Sequence, residues 1–151
     1  MAGDENGPQR PTGQARAILI EVGPGELIDK ITILQIKADR IDDPAKLANV
    51  RHELGLLEGA RRTAMPATPD LDRLEAELKE VNTRLWQIED DIRACDARAD
   101  FGPTFVTLAR DVYRTNDRRA ALKRRINVAL GAGVVEEKSY AEHGSPSRPE
   151  S

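Results

Sequence analysis

Between Leu71 and Cys95 the apolar residues are Leu71, Leu74, Leu78, Val81, Leu85, Ile88, Ile92 and Cys95, a steady alternation of three and four. That spacing places all eight on one stripe of an α-helix, about 38 Å long at 1.5 Å per residue. The stretch RADFGP (98–103) breaks the pattern, and a second stripe follows: Phe105, Leu108, Val112, Thr115, Arg119, Leu122, Ile126 and Ala129. The turn between them is short, so the two helices should lie antiparallel as neighbours. The stripes then interleave in one register centred on Asp100, from Cys95 against Phe105 to Leu71 against Ala129. In that register the only polar residues on the seam, Thr115 and Arg119, fall at its middle, facing Leu85 and Val81.

The flanks of this hairpin carry mixed signals. Glu77 faces Arg125 and Glu75 faces Lys123, which are favourable, and Asn82 faces Asn116. Arg84 faces Arg118 and Asp91 faces Asp111, which is adverse unless something lies between them or they splay into water. Over their whole lengths the helices complement each other, with net charge −4 for residues 70–98 and +5 for 104–130.

Upstream, Leu27, Ile31, Leu34, Ala38 and Ile41 form a stripe that Ile28 and Ile36 widen, predicting a first helix over Glu26–Ile41 buried on more than one side. Glu26 suits the positive end of that helix and is four residues from Lys30. Asp43 and Pro44 form a cap and first position for a second helix carrying Leu47, Val50, Leu54 and Leu57. This helix fades by Gly59, and 60–69 reads as a linker. Thr68 and Pro69 are the cap and first residue of the third helix. The fourth starts near Thr104, and the GAG at 131–133 offers a glycine C-cap.

Two short apolar runs, Ala17–Val22 (AILIEV) and Val134–Tyr140 (VVEEKSY), read as strands, marginal alone and paired with each other or with another subunit. Residues 1–16 and 141–151 are polar tails with nothing to bury and are expected to be disordered. The organisation is therefore one helical domain over 17–140. It is mostly α: an antiparallel, coiled-coil-like hairpin packed by a shorter helical pair, with two short terminal β-strands.

Composition narrows the function. The chain has 151 residues, 39% hydrophobic and only 3% aromatic, which suits long helices with thin apolar stripes. A net charge of −3 gives no general attraction to nucleic acid or anionic membrane. The basic run RRAALKRR has no interleaved aromatic residue, so no nucleic-acid partner is expected. One cysteine, Cys95, sits on the seam as packing and provides neither a disulfide framework nor a metal site. No run is long enough for a signal peptide or a membrane span, so the expected location is cytoplasmic.

The one constellation with chemistry is at mid-hairpin. Arg84, Arg118 and Arg119, with Asn82, Thr115 and Asn116, form a candidate anion patch, since guanidinium forks bind phosphate or carboxylate with two donors at once. Trp86, one turn from Asn82, offers a stacking face. The plainer reading is that Arg119 fixes helix register or snorkels to water. Glu89, Asp90 and Asp91 with Asp111 are acidic, but adjacent helical residues diverge, so a solvated face is preferred to a metal site. Neither His52 nor His143 has partners for catalysis. No metal and no cofactor is expected.

Several stretches carry a resemblance: IEVGPGELIDKITILQIKADRI, KLANVRHEL, NTRLWQIEDDIR, FGPTFVTLARDVYRTNDRRAALKRRIN and VEEKSY. Over about Ile18–Tyr140 the chain resembles a small bacterial family of uncharacterised function. Its members look like companions of glycosyltransferase and surface-polysaccharide (lipopolysaccharide-type) gene clusters. That resemblance implies a role near such machinery and supplies no catalytic residues; serine is usual in the family where this chain has Gly23. ELIDKITILQIKADR alone is also similar to the first helix of all-helical chorismate mutases, which bind a dicarboxylate. The leading expectation is a non-catalytic interaction or adaptor module, a homo-oligomer or the companion of a partner protein such as a glycosyltransferase. Its rival is a protein or enzyme that binds an anionic ligand, a nucleotide-sugar or dicarboxylate, at the Arg/Asn patch.

Overall fold

The computed structural model describes residues 16–131. They form four α-helices, α1 (Pro24–Arg40), α2 (Pro44–Ala64), α3 (Pro69–Ala97) and α4 (Pro103–Ala129). Each begins with proline at its first position, where the missing N–H costs nothing. Asp43 and Thr68 cap α2 and α3 by accepting from the backbone N–H of Lys46 and Leu71 at 2.9 and 3.2 Å. Past α4, Gly131 takes the left-handed conformation (φ 61°) that ends a helix without a Cβ clash.

The expected hairpin is present as α3 and α4, the most extensive helix pairing in the molecule. The seam residues Leu71, Leu74, Leu78, Val81, Ile88 and Cys95 of α3 are buried, as are Leu122 and Ile126 of α4. Ile28 of α1 joins Leu71, Leu74, Leu78, Val81, Leu122 and Ile126 in one core, with Met65 and Leu130 packed on it. This cluster lies at the end of the hairpin where α3 starts and α4 finishes, while Ile88 and Cys95 are buried further along α3.

α1 touches α2, α3 and α4 and is the central helix, which is why its apolar residues spread beyond one stripe. At Gly25 its first turn presses against the α4 backbone at Lys123, leaving no space for a Cβ. The Gly25 N–H donates to Asn127 Oδ1 at 2.8 Å, so a side chain three helices away in sequence satisfies an orphan donor of the α1 terminus.

Three sequence expectations are corrected. Among the described residues there is no strand: Ala17–Val22 has no regular secondary structure and pairs with no other described segment, and Ile18, Leu19 and Ile20 are 75–93% exposed. The second expected strand, Val134–Tyr140, and the tails over 1–15 and 141–151 lie outside the described residues. α2 does not stop at Gly59 but continues to Ala64, because arginines 61 and 62 are good helix formers and Arg61 ion-pairs with Glu75 on α3. The shorter helices do not pack on the hairpin as a pair either. α2 packs on α1, reaches α3 through the Arg61 ion pairs, and has no buried residue, since its apolar stripe is only four residues long.

Candidate functional site

The polar interruption of the seam meets a matching polar face on α1. Asp29 and Thr32, three residues apart, lie on the side of α1 that faces the hairpin, and both are buried. Arg119 of α4 reaches across and grips the Asp29 carboxylate with both arms. Its Nε donates to Oδ1 at 2.9 Å and its Nη2 to Oδ2. From α3, Asn82 Nδ2 donates to Asp29 Oδ1 and to Thr32 Oγ1, both at 2.9 Å. Thr32 Oγ1 in turn donates to the Asp29 carbonyl at 2.8 Å. One carboxylate therefore joins three helices through a bidentate guanidinium and an amide, the geometry in which a buried ion pair is tolerated.

Among the described residues no buried side-chain nitrogen or oxygen lacks a hydrogen-bond partner. Arg119 is 28% exposed at its side chain while Asp29 is 1% exposed, so the pair is open at the arginine end only. That open end gives onto a cavity of about 340 Å³ between α1 and α3. Ile33, Ile36, Leu85 and Trp86 wall it, Asn82 and Arg119 line it, and Glu89, Asp90 and Arg93 also border it. Arg40 lies 5.9 Å from the centre of the Trp86 ring, a cation–π contact.

The seven residues of the sequence-derived patch do not form one group. Asn82, Trp86 and Arg119 border the cavity just described. Arg84, Thr115 and Arg118 border a broad depression on the opposite flank of the hairpin, and Asn116 belongs to neither. Arg84 inclines toward the α4 start and pairs with Asp111 at 3.9 Å, while Asp91 accepts from Gln87 Nε2 at 3.0 Å. Both like-charge facings of the hairpin are relieved by these shifts. Glu77 meets Arg125 across the hairpin at 3.5 Å as the register implied. Glu75 pairs with Arg61 of α2, and Lys123 with Glu26 of α1.

Asp29 and Thr32 are the residues the sequence reading passed over. A signal was present: both sit among Ile28, Ile31, Ile33 and Ile36, so a helix buried on several sides had to bury them too. Among the described residues no cluster of His, Cys, Asp and Glu can hold a metal ion, and no helix is long and apolar enough to cross a membrane.

The model of a family of unknown function, DUF6165, matches residues 18–150, and the chain belongs to that family. No curated protein and no solved structure matches the chain.

Proposed function

We propose that this protein is a non-catalytic helical interaction module, an adaptor for copies of itself or for a partner protein. The observation that carries this reading is the state of Arg119. Its guanidinium is bound to a carboxylate of the same chain, so an incoming anion must compete with an acceptor already held in place. Large stretches of helix surface are, by contrast, uncommitted. α2 has no buried residue, and α4 has none before Leu122. The sequence resemblance to companions of glycosyltransferase and surface-polysaccharide clusters suggests the setting: cytoplasmic, beside that machinery, with a glycosyltransferase as a fitting partner.

A thermal-shift panel of nucleotides, nucleotide-sugars and dicarboxylates on the full chain tests the reading, together with photocrosslinking in cells from Leu56, which is 61% exposed on α2. The adaptor predicts no stabilisation by any anion and a covalent protein adduct. The rival reading, a small anion at the Asn82–Trp86–Arg119 cavity, has the guanidinium at the cavity edge in its favour. It would replace the adaptor if an anion raised the melting temperature and Arg93→Gln removed that rise.

A further inference from the structure

The face of α4 turned away from α3 has a composition of its own. Val106, Arg110, Tyr113, Asp117, Ala121, Arg124 and Val128 follow one another at 4-3-4-4-3-4, so they form a single stripe opposite the seam. All seven are exposed, and Val106, Tyr113 and Val128 are 51, 53 and 68% exposed. Among the described residues α4 packs on α3 and α1 only, so no described helix covers this stripe. The chain has few aromatic residues, and Tyr113 stands in the middle of it beside Arg114, whose guanidinium lies 5.9 Å from the ring centre. Tyrosine and arginine together at the centre of a patch are the residue types that dominate binding energy at interfaces.

The stripe is complementary to itself. Laid antiparallel on a copy about a two-fold axis between Tyr113 and Arg114, it sets Arg110 against Asp117 of the other copy, and Asp117 against that copy's Arg110. The same register brings each Tyr113 ring to the other copy's Arg114 and each Val106 to the other's Ala121. The neighbouring register, one heptad along and centred on Asp117, is disfavoured by charge. It sets Arg110 against Arg124 and Asp117 against itself, and like charges across an interface are a strong bar to pairing. An isologous contact requires this kind of two-fold self-complementarity of a patch. We infer that α4 is a self-association face, on which two copies of this chain pair antiparallel through Val106, Arg110, Tyr113, Arg114, Asp117 and Ala121.

This rests on the reading of the chain as an interaction module and names the partner. One helix face against its copy buries less than the roughly 800 Å² per partner of a standard interface. The pairing is therefore a weak, concentration-dependent dimer, not an obligate one.

Sedimentation velocity of the full chain, from micromolar to near-millimolar, tests it with three variants: Arg110→Asp, Asp117→Arg and the two together. All the changes are at exposed positions, and circular dichroism verifies the fold. Each single variant sets like charges against each other and should weaken the dimer at least about tenfold, a loss of about 1.4 kcal/mol. The double variant restores opposite charges and should regain most of that loss. A parent chain that stays monomeric throughout overturns the proposal, as does a dimer indifferent to the single variants or one the double variant fails to rescue. The adaptor reading has a separate fate: it survives any of these results if Leu56 crosslinks to another protein, and falls to anion binding whatever the dimer does.

Discussion

A buried carboxylate, as at Asp29, persists only when charge and hydrogen bonds replace the water it has lost. Arg119 and Asn82 supply both, which gives a physical reason for a guanidinium on an apolar seam. Two other residues make predictions at this scale. The Arg110 and Arg114 guanidiniums beside the Tyr113 phenol hold its pKa below the ordinary tyrosine value. A group whose folded pKa is depressed adds stability that is fully present above its unfolded pKa and is lost as pH falls through the folded one. Ultraviolet titration of a Tyr140→Phe protein should therefore show Tyr113 ionising below pH 10, and Arg110→Ala should move the midpoint upward. A midpoint at or above the free value would contradict the arginine contacts. At Gly25, an added Cβ meets the backbone at Lys123, which cannot rotate out of the way as a side chain does. Gly25→Ala should cost more than the roughly 1–3 kcal/mol typical of overpacking, measured by chemical denaturation, although alanine is the better helix former.

Among the elements, α3 and α4 were plain in the sequence because their stripes are long and their register could be derived by layering one on the other. The caps at Asp43 and Thr68 were equally legible, being local chemistry. What the sequence hid depended on the third dimension. Asp29 appeared to be an ordinary polar residue of α1 until α1 was seen to have neighbours on three sides. Ala17–Val22 has the β-branched composition of a strand, but composition cannot supply the partner a strand needs. The same logic ranks the helices by stability. α2 is attached to α1 and, through Arg61, to Asp72 and Glu75, with no fully buried side chain. Local opening requires little buried contact, so amide hydrogens in the middle of α2 should exchange markedly faster than those of α3 around Leu74–Leu78. Equal protection in both helices would mean that α2 is covered by something more than α1.

At the scale of the whole molecule, the fold is a hairpin clamped at its middle by α1. The main apolar cluster occupies one end, around Ile28, Leu78 and Ile126, and the Asp29–Arg119–Asn82–Thr32 network borders it. The candidate patch was thus only partly legible: Asn82 and Arg119 do converge, on Asp29 of α1 and at the edge of the cavity beside it. Arg84 and Arg118 lie on the other flank because a helix turns its neighbours to different sides. The central claim is that Arg119 serves the fold, and a double-mutant cycle on Asp29 and Arg119 tests it most directly. Urea denaturation of the parent, Asp29→Leu, Arg119→Leu and the double variant gives the coupling energy. Each single change leaves a charge stranded and should cost about 3–5 kcal/mol. The double variant should recover much of that loss, giving a coupling of about 2 kcal/mol or more. If Arg119→Leu is as stable as the parent and the coupling is near zero, the guanidinium is not held for the fold, and the mid-hairpin arginine belongs to a ligand.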